Sequence, residues 1–369
     1  MTRYRDLGLT VGLLPPGPNN AITDVEGVQV GSVTLLRGDG PLVVGSGPVR
    51  TGVTVILPHD EIGASPLFAG CHRLNGNGEL TGLEWVRESG QLTTPVAITN
   101  THSVGIVRDA IVAADVRRLP DPQNFWSLPV VGETYDGTLN DINGFHVTAD
   151  HLFEALAVAE SGPVPEGNVG GGTGMICHEF KGGTGTASRT VNGSTVGALV
   201  QANHGRRPRL TVDGVPVGRE LGTDSIASPY EEPARAGSGS IIAILATDAP
   251  LLPHQCERLA QRAGLGIARA GGAGEHTSGD IFLAFSTANR GRIASYQEGG
   301  SLTPSDVAML PDTAISDLFW AAIESTEEAI LNALVAAETM TGIDGTTAHA
   351  LPHDGLIEVM TRYGRGPSA

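Results

Sequence analysis

The chain has 369 residues, of which 40% are hydrophobic and 17% charged, and its formal net charge is −17. This composition is typical of a globular protein with a substantial core, and 51 glycines without a Gly-X-Y period exclude collagen. The negative charge argues against a nucleic-acid partner, because phosphate binding needs clustered basic residues and Lys181 is the only lysine.

The sequence shows no targeting or membrane signal. Its first twenty residues lack the apolar run of a secretory signal, and no stretch approaches 18 consecutive apolar residues. The three cysteines, Cys71, Cys177 and Cys256, are odd in number and widely spaced, which is not typical of a disulfide framework. We therefore expect a cytoplasmic, reduced protein with no membrane partner.

Strand-like apolar runs and helical patterns are mixed along the chain, and the runs are nearly continuous, as in strands buried on both faces. In chain order, the patterns predict strands over 53–58 and 96–101, a helix over 150–161, strands over 195–203 and 240–247, a helix over 250–269, a strand over 280–287 and a helix over 314–341. This mixture predicts an α/β fold, with either two central sheets in layers or one doubly wound parallel sheet.

Local signals predict where these helices begin and end. Asp150 is expected to cap the first helix, and Pro250 to lie near the first turn of the second. The third is expected to stop before Gly342, with Glu327 and Glu328 on its solvent side.

Several common chemistries do not fit the sequence. No P-loop, nucleophile elbow or H-E-x-x-H motif occurs, and the glycine-rich run 167–189 does not give a dinucleotide-binding pattern. Cys177, His178 and Glu179 are adjacent metal-ligand types, but neighbours on a strand point to opposite faces. We therefore predict neither a metal site nor an organic cofactor.

The segment around Ser240 indicates one specific chemistry. Small, flexible residues end at Gly239, and a buried-strand pattern begins at Ser240. Glycine allows a strained preceding peptide, so the Ser240 hydroxyl could attack the Gly239 carbonyl and leave Ser240 as a new amino terminus. An α-amino group has a pKa of about 7.7–8.0, and it would serve as the base for its own hydroxyl. From the residues alone, a plain loop entering a strand stays open, and Ser238 is an alternative register.

Blocks along nearly the whole chain resemble aminopeptidases of the L-aminopeptidase/D-esterase type and the β-peptidyl aminopeptidases. These blocks are NAITDVEGVQVG (20–31), RLNGNGELTG (73–82), TNTHSVG (99–105), VVGETYDGTLNDI (130–142), GNVGGGTGM (167–175), LVQANHG (199–205), GSIIAILATDAPLLPHQ (239–255) and SGDIFLAFSTAN (278–289). The resemblance implies cleavage before Ser240 and thereby decides the register against Ser238.

The resemblance also implies roles for other residues. Asn203 would supply the oxyanion hole, Tyr135 would belong to the active site, and Glu133 would hold the substrate's ammonium group. Ser278 and Asp280 would contact the amine of the nucleophile, although many relatives have the longer glutamate at the position of Asp280. Four further residues in matching blocks are expected to shape the pocket, namely Asn75, Glu79, Thr101 and His102.

The fold implied by the resemblance is a four-layer αββα sandwich, similar to that of N-terminal nucleophile hydrolases but with different strand connectivity. The single domain, 1–369, would be cleaved into an α chain, 1–239, and a β chain, 240–369, and would assemble as a homotetramer. The implied activity is release of amino-terminal residues from small peptides, amides or esters through an acyl-enzyme on Ser240. The alternative is an amide hydrolase or acyltransferase of the same fold that acts on non-peptide oligomers or acylated amino acids.

Overall fold

A computed structural model describes residues 1–230, 239–293, 295 and 303–367. Its strands are β1 (Gln29–Arg37), β2 (Val49–Leu57), β3 (Leu67–Arg73), β4 (Gln91–Leu92), β5 (Val96–Asn100), β6 (Val130–Thr134), β7 (Ile176–Cys177), β8 (Phe180–Lys181), β9 (Gly183–Val191), β10 (Ser194–Asn203), β11 (Ser240–Thr247), β12 (Ile281–Ser286), β13 (Met340–Thr341) and β14 (Thr347–Ala348). Its helices are α1 (Leu83–Ser89), α2 (Val104–Arg118), α3 (Ala149–Ala157), α4 (Val217–Glu220), α5 (Pro253–Arg269), α6 (Ser316–Val335) and α7 (His353–Arg362).

The strands form two central sheets and two small hairpins. One sheet has the order β1-β2-β5-β6 and the other the order β4-β3-β12-β11-β10-β9. Helices α2 and α3 cover the outer face of the first sheet, and α5 and α6 cover the outer face of the second. The result is a helix–sheet–sheet–helix sandwich, which confirms the predicted four-layer α/β fold.

Strand β11 lies at the centre of this sandwich and is buried on both faces. Its residues alternate between the core against α5 and α6, as Ala243 does, and the core between the two sheets, as Ile242 and Ile244 do. The period of two in a strand sends neighbours to opposite faces, and here both faces are apolar. This burial explains the continuous apolar run that predicted the strand.

The predicted parallel alternative is wrong. In the six-stranded sheet only β11 and β12 run parallel, joined by α5, and their other neighbours pair antiparallel. The hairpin β9–β10 turns at Asn192 and Gly193, both with positive φ, as a two-residue type I′ turn requires. Antiparallel pairing with short turns therefore builds most of this sheet.

The predicted helices exist, but their ends differ from the prediction. Thr148, not Asp150, is the N-cap of α3. Helix α5 begins at Pro253 rather than near Pro250, because Pro253 occupies the first turn where its missing N–H has no consequence. Helix α6 ends at Val335, well before Gly342.

The expectation that Glu327 and Glu328 face solvent is wrong, since both are buried. Glu327 pairs with Arg269, at 2.6 Å between Oε2 and Nε. Glu328 accepts hydrogen bonds from Arg5 at 2.7 Å and from Arg189 at 2.6 Å, and Arg189 is itself fully buried. Buried carboxylates are stable only when cations and donors compensate for lost hydration, and these arginines come from distant parts of the chain.

The described part of the chain contains no helix that is both long and apolar enough to cross a membrane. Cys71, Cys177 and Cys256 are all buried and free.

Replacing Glu328 by alanine should lower the free energy of unfolding by about 3 kcal/mol, because the buried Arg189 would lose its closer carboxylate partner and keep only Glu324, at 3.2 Å. The control is Glu358→Ala, at an exposed position of α7, which makes the same change of helix propensity. Urea unfolding followed by circular dichroism measures both variants, and equal stability of the two would contradict this account of the buried network.

Candidate active site

Ser240 is the first residue of β11, and it lies directly opposite Asn203, the last residue of β10. The Ser240 side chain accepts a hydrogen bond from the backbone N–H of Gly279, with 2.9 Å between nitrogen and Oγ. A methyl group on Gly239 would overlap the carbonyl oxygen of Asn203 and lie 3.0 Å from its Nδ2. Strand pairing therefore places the Gly239–Ser240 bond beside the Asn203 amide, whereas Ser238 lies outside the described residues.

Backbone contacts fix the orientation of the buried Asn203 amide. The N–H of Ile176 donates to Asn203 Oδ1 at 2.8 Å, so this atom is the oxygen and the NH₂ group points the other way. That group donates one hydrogen to the carbonyl of Tyr135 at 3.0 Å and has a second hydrogen. Asn203 can therefore offer a fixed donor to an oxyanion.

Lys181 supports the segment that orients Asn203. Its side chain is fully buried, and Nζ donates to the carbonyl oxygens of Met175 at 2.9 Å and Gly182 at 2.8 Å. Burial lowers the pKa of Lys181 to about 7. Because Met175 precedes Ile176, the hydrogen bonds of Lys181 hold the backbone segment whose Ile176 N–H donates to Asn203.

Ser278 and Asp280 meet on the other side of Ser240. Ser278 Oγ donates to Asp280 Oδ1 at 2.6 Å, and the N–H of Ile241 donates to the same oxygen at 3.1 Å. Burial raises the pKa of Asp280, and these hydrogen bonds and one from Asn75 oppose the shift. The shorter aspartate therefore reaches the backbone one residue from Ser240, where the amine of the nucleophile would appear.

Glu133, at the end of β6, is buried rather than an exposed strand-end carboxylate. Thr101 Oγ1 donates to its Oε2, and the N–H of Glu79 donates to Oε1 at 2.9 Å. Burial raises the pKa of Glu133, and the two hydrogen bonds oppose this rise. The carboxylate is thus held in one orientation, as a site for a cation requires.

Gly78 joins the Glu133 region to Ser240. A methyl group on Gly78 would lie 3.0 Å from Gly279 Cα and 3.1 Å from Glu133 Oε1. A methyl group on Gly279 would in turn come 2.5 Å from Gly78 Cα. Two glycine backbones therefore touch between Ser240 and the Glu133 carboxylate, where no larger residue fits.

The structure brings the backbone of Tyr135 to the site, through its bond from Asn203, while the side chain is 49% exposed and folds over Gly137. His102 stacks on Phe145 with 6.2 Å between ring centroids. Asn75 accepts the N–H of Asp280 at 2.6 Å and so positions that residue.

Sequence reasoning missed the backbone donors of Gly279 and Ile176 and the direct contact of Thr101 with Glu133. Backbone groups have no residue-type signature, so Ile176 carried no signal at all. The signal for Gly279 was its place between Ser278 and Asp280, and for Gly78 its place in the block at 73–82.

A cleft of about 460 Å³ opens on the Glu79 side of the site. Its walls include Gly78 and Glu79, which border Glu133, and Arg73, Trp85 and Leu128 further out. The mixed apolar and charged lining can accommodate a small amphipathic molecule.

A second group of polar side chains lies behind Asn203, namely Cys177, His178 and His204. The expectation that Cys177 and His178 face opposite sides is wrong, because β7 ends at Cys177 and His178 begins a turn with a φ of 49°. The alternation rule holds only within a strand.

Comparison with known proteins agrees with this arrangement. The beta-peptidyl aminopeptidase BapA of Sphingosinicella microcystinivorans is 52% identical, over 98% of this chain and 93% of that protein. A Burkholderia sp. beta-aminopeptidase structure shares 54% identity with a TM-score of 0.90, covering 98% of this chain and 99% of that one. The Ochrobactrum anthropi L-aminopeptidase D-Ala-esterase/amidase, a variant of the Ntn hydrolase fold, shares 48% identity with a TM-score of 0.89, over 99% of each chain.

The fold and these similarities define a serine-type hydrolase of the N-terminal nucleophile class. The pattern of Peptidase family S58 matches residues 20–348, and the chain belongs to this family. It is therefore an enzyme with peptidase or amidase-esterase activity, and peptides or amides are its substrates.

Gly279→Ala should reduce hydrolysis of an aminoacyl p-nitroanilide by about 10²-fold, because a side chain there would push the Gly279 N–H away from the Ser240 oxygen. Gly222→Ala is the matched control, since it lies outside the cleft and its added methyl would meet only the Arg219 carbonyl oxygen, at an ordinary contact distance of 3.7 Å. Initial rates of both variants test the role of the close glycine contact, and an unimpaired Gly279→Ala enzyme would refute it.

Proposed function

We propose that the chain cleaves itself between Gly239 and Ser240, giving an α chain of residues 1–239 and a β chain of residues 240–369. The observation that carries this proposal is the position of Ser240 at the start of a central strand, with Gly239 packed against Asn203. Only glycine can pack this closely against the Asn203 backbone, because any side chain at position 239 would overlap it. The Asn203 amide lies beside the Gly239–Ser240 peptide bond.

In the cleavage step, Ser240 Oγ attacks the carbonyl carbon of Gly239 and forms an ester while the amide bond to nitrogen breaks. The proton of the hydroxyl passes to that nitrogen, which becomes the free amine of Ser240. Water then hydrolyses the ester and leaves Gly239 with a carboxylate. Asn203 Nδ2 is placed to stabilise the oxyanion of each tetrahedral intermediate.

In substrate hydrolysis, the Ser240 amine takes the proton of its own hydroxyl, and Oγ attacks the substrate carbonyl. Asn203 again donates to the oxyanion, and the protonated amine gives its proton to the leaving amine. Ser278 and Asp280 hold the new amino terminus, because their hydrogen-bonded pair lies next to the Ile241 nitrogen. Water then releases the acyl group from Ser240.

Glu133 binds the free ammonium group of the substrate's first residue, which makes the enzyme an aminopeptidase. A buried carboxylate held by Thr101 and Glu79 forms a strong charge-assisted hydrogen bond with such a group. The adjacent cleft, at about 460 Å³, suits small peptides, amides or esters. The names of the relatives, beta-peptidyl aminopeptidase and L-aminopeptidase D-Ala-esterase/amidase, support this substrate class.

We also propose a homotetramer of αβ units in the cytoplasm that binds neither nucleic acid nor membrane. Exposed apolar side chains such as Leu13 and Trp320 supply surface for subunit contacts. The net charge of −17 opposes binding to phosphates, and three free buried cysteines suit a reducing compartment. Light scattering of the purified protein tests the assembly.

Purified wild-type protein should show two bands on a denaturing gel, and mass spectrometry should find a chain beginning at Ser240. Ser240→Ala should remain one full-length, inactive chain, because it lacks the attacking hydroxyl, whereas Ser240→Cys retains a nucleophile and should cleave in part. Active wild-type enzyme that stays uncleaved would contradict the proposed mechanism.

Thr101→Val should raise KM for an aminoacyl amide by about 10-fold or more with little change in kcat. Without the Thr101 hydroxyl, Glu133 is no longer held in position for the substrate's ammonium group, and their charge-assisted hydrogen bond is weakened in the bound ground state and in the transition state alike. Thr101→Ser retains the hydroxyl and should restore KM. An analogue without the amino group should not distinguish the variants, and if it does, Glu133 does not act through the substrate's ammonium group.

A further inference from the structure

We propose that Cys177, His178 and His204 form a buried binding site for one divalent cation of the zinc type. We call these three side chains the Cys-His-His cluster. Their ligand atoms all lie within 4.8 Å of one another, and all three residues are fully or almost fully buried. The cluster is separate from the groups that would perform hydrolysis.

The turn of the β7–β8 hairpin and a backbone hydrogen bond to His204 bring the three ligands together. Cys177 ends β7, and the two-residue turn to β8 consists of His178 and Glu179, with φ values of 49° and 62°. The backbone N–H of His178 donates to the carbonyl of His204 at 2.7 Å, which ties the turn to the residue that follows β10. Left-handed backbone at two consecutive non-glycine residues, His178 and Glu179, is energetically costly. Such strained turns are typical of functional sites, and a ligand bound here would account for this one.

The histidine rings are oriented as metal ligands are. His178 Nδ1 lies 3.1 Å from the carbonyl of Arg206, so that nitrogen carries the hydrogen and Nε2 offers a lone pair. Nε2 of His178 is buried without a hydrogen-bond partner among the described residues, and so is Nε2 of His204. A buried polar atom without a partner destabilises the fold, and a bound cation would remove this cost at His178.

Distances within the cluster are close to those of a bound metal. Cys177 Sγ lies 3.9 Å from His204 Nδ1. In a tetrahedral zinc site with Zn–S near 2.3 Å and Zn–N near 2.0–2.1 Å, ligand atoms are roughly 3.3–3.6 Å apart. The Cys177–His204 distance would therefore have to shorten by about 0.3–0.6 Å, and no distance in the cluster by more than about 1.5 Å, to close the site. A Cys177–His204 hydrogen bond without metal would leave His178 Nε2 unpaired.

The donor set selects the metal. One thiol and two imidazoles suit zinc and its neighbours in the first transition row, and they do not suit magnesium or calcium, which need oxygen ligands. The Cys177 thiol would lose its proton to solvent when the metal–sulfur bond forms.

The position of the cluster gives the cation a structural role. Cys177 follows Ile176, whose N–H fixes the Asn203 oxygen, and His204 follows Asn203 itself. A cation bound by both segments would clamp the backbone on either side of the Asn203 amide. The inference does not depend on which residue is the nucleophile.

The test is to express the full-length chain in medium supplemented with zinc or with cobalt, so that metal is present before the core closes. After gel filtration with a chelator, mass spectrometry should find about one metal ion per chain, and the cobalt protein should show thiolate charge-transfer absorption. Cys177→Ala and His204→Gln should both lose the metal. Cys256→Ala is the matched control, since it removes an equally buried thiol outside the cluster, and it should retain the metal.

Less than roughly one-tenth of an equivalent in wild-type protein from both media would overturn the proposal. So would full metal content in Cys177→Ala, or cobalt bound without a thiolate band in wild-type protein. The metal content and the cobalt spectrum of wild-type protein decide the question even if the cluster variants fail to fold.

Discussion

Close approach of backbone segments around Ser240 is the constraint on which the site depends. Gly239 lies against Asn203, and Gly279 touches Gly78 while its N–H holds the Ser240 oxygen. A side chain at any of these three glycines would push apart groups that must stay within hydrogen-bonding distance. The positions of Ser240, the Asn203 amide and the Glu133 carboxylate therefore follow from contacts that only residues without a Cβ allow.

The surrounding sandwich makes these contacts rigid. The proposed cut falls between two paired strands of one sheet, since β10 belongs to the first fragment and β11 to the second. Strand β11 is also covered on both faces by apolar side chains. Cleavage thus changes the covalent connection without removing the packing, and the two fragments should stay together in one core.

The sequence predicted five of the ten described strands of the central sheets, because continuous apolar runs such as 240–247 stand out, and it missed others such as β1, β3 and β9. The sequence-based predictions were wrong where the burial of a residue depends on partners far away in the chain. Glu328 looks like a surface residue on its own helix, and its burial is explained by donors from distant parts of the chain, Arg189, Arg5 and Asn20. The turn at His178 likewise interrupts the alternation of side chains along the strand, and no local sequence pattern predicted this turn. At the candidate site, the residue types in the matching blocks predicted which side chains would lie there. Backbone donors such as the N–H of Ile176 could be identified only from the structure, because any residue type carries such a group.

The burial of Lys181 has a practical consequence for labelling. No other lysine exists in the sequence, and the interior position of this one shields it from reagents in solution. The outer surface therefore carries no ε-amine, and acylating dyes or cross-linkers would react chiefly at chain termini. In the denatured protein, the amine of a newly formed chain terminus could be labelled against a background of a single lysine.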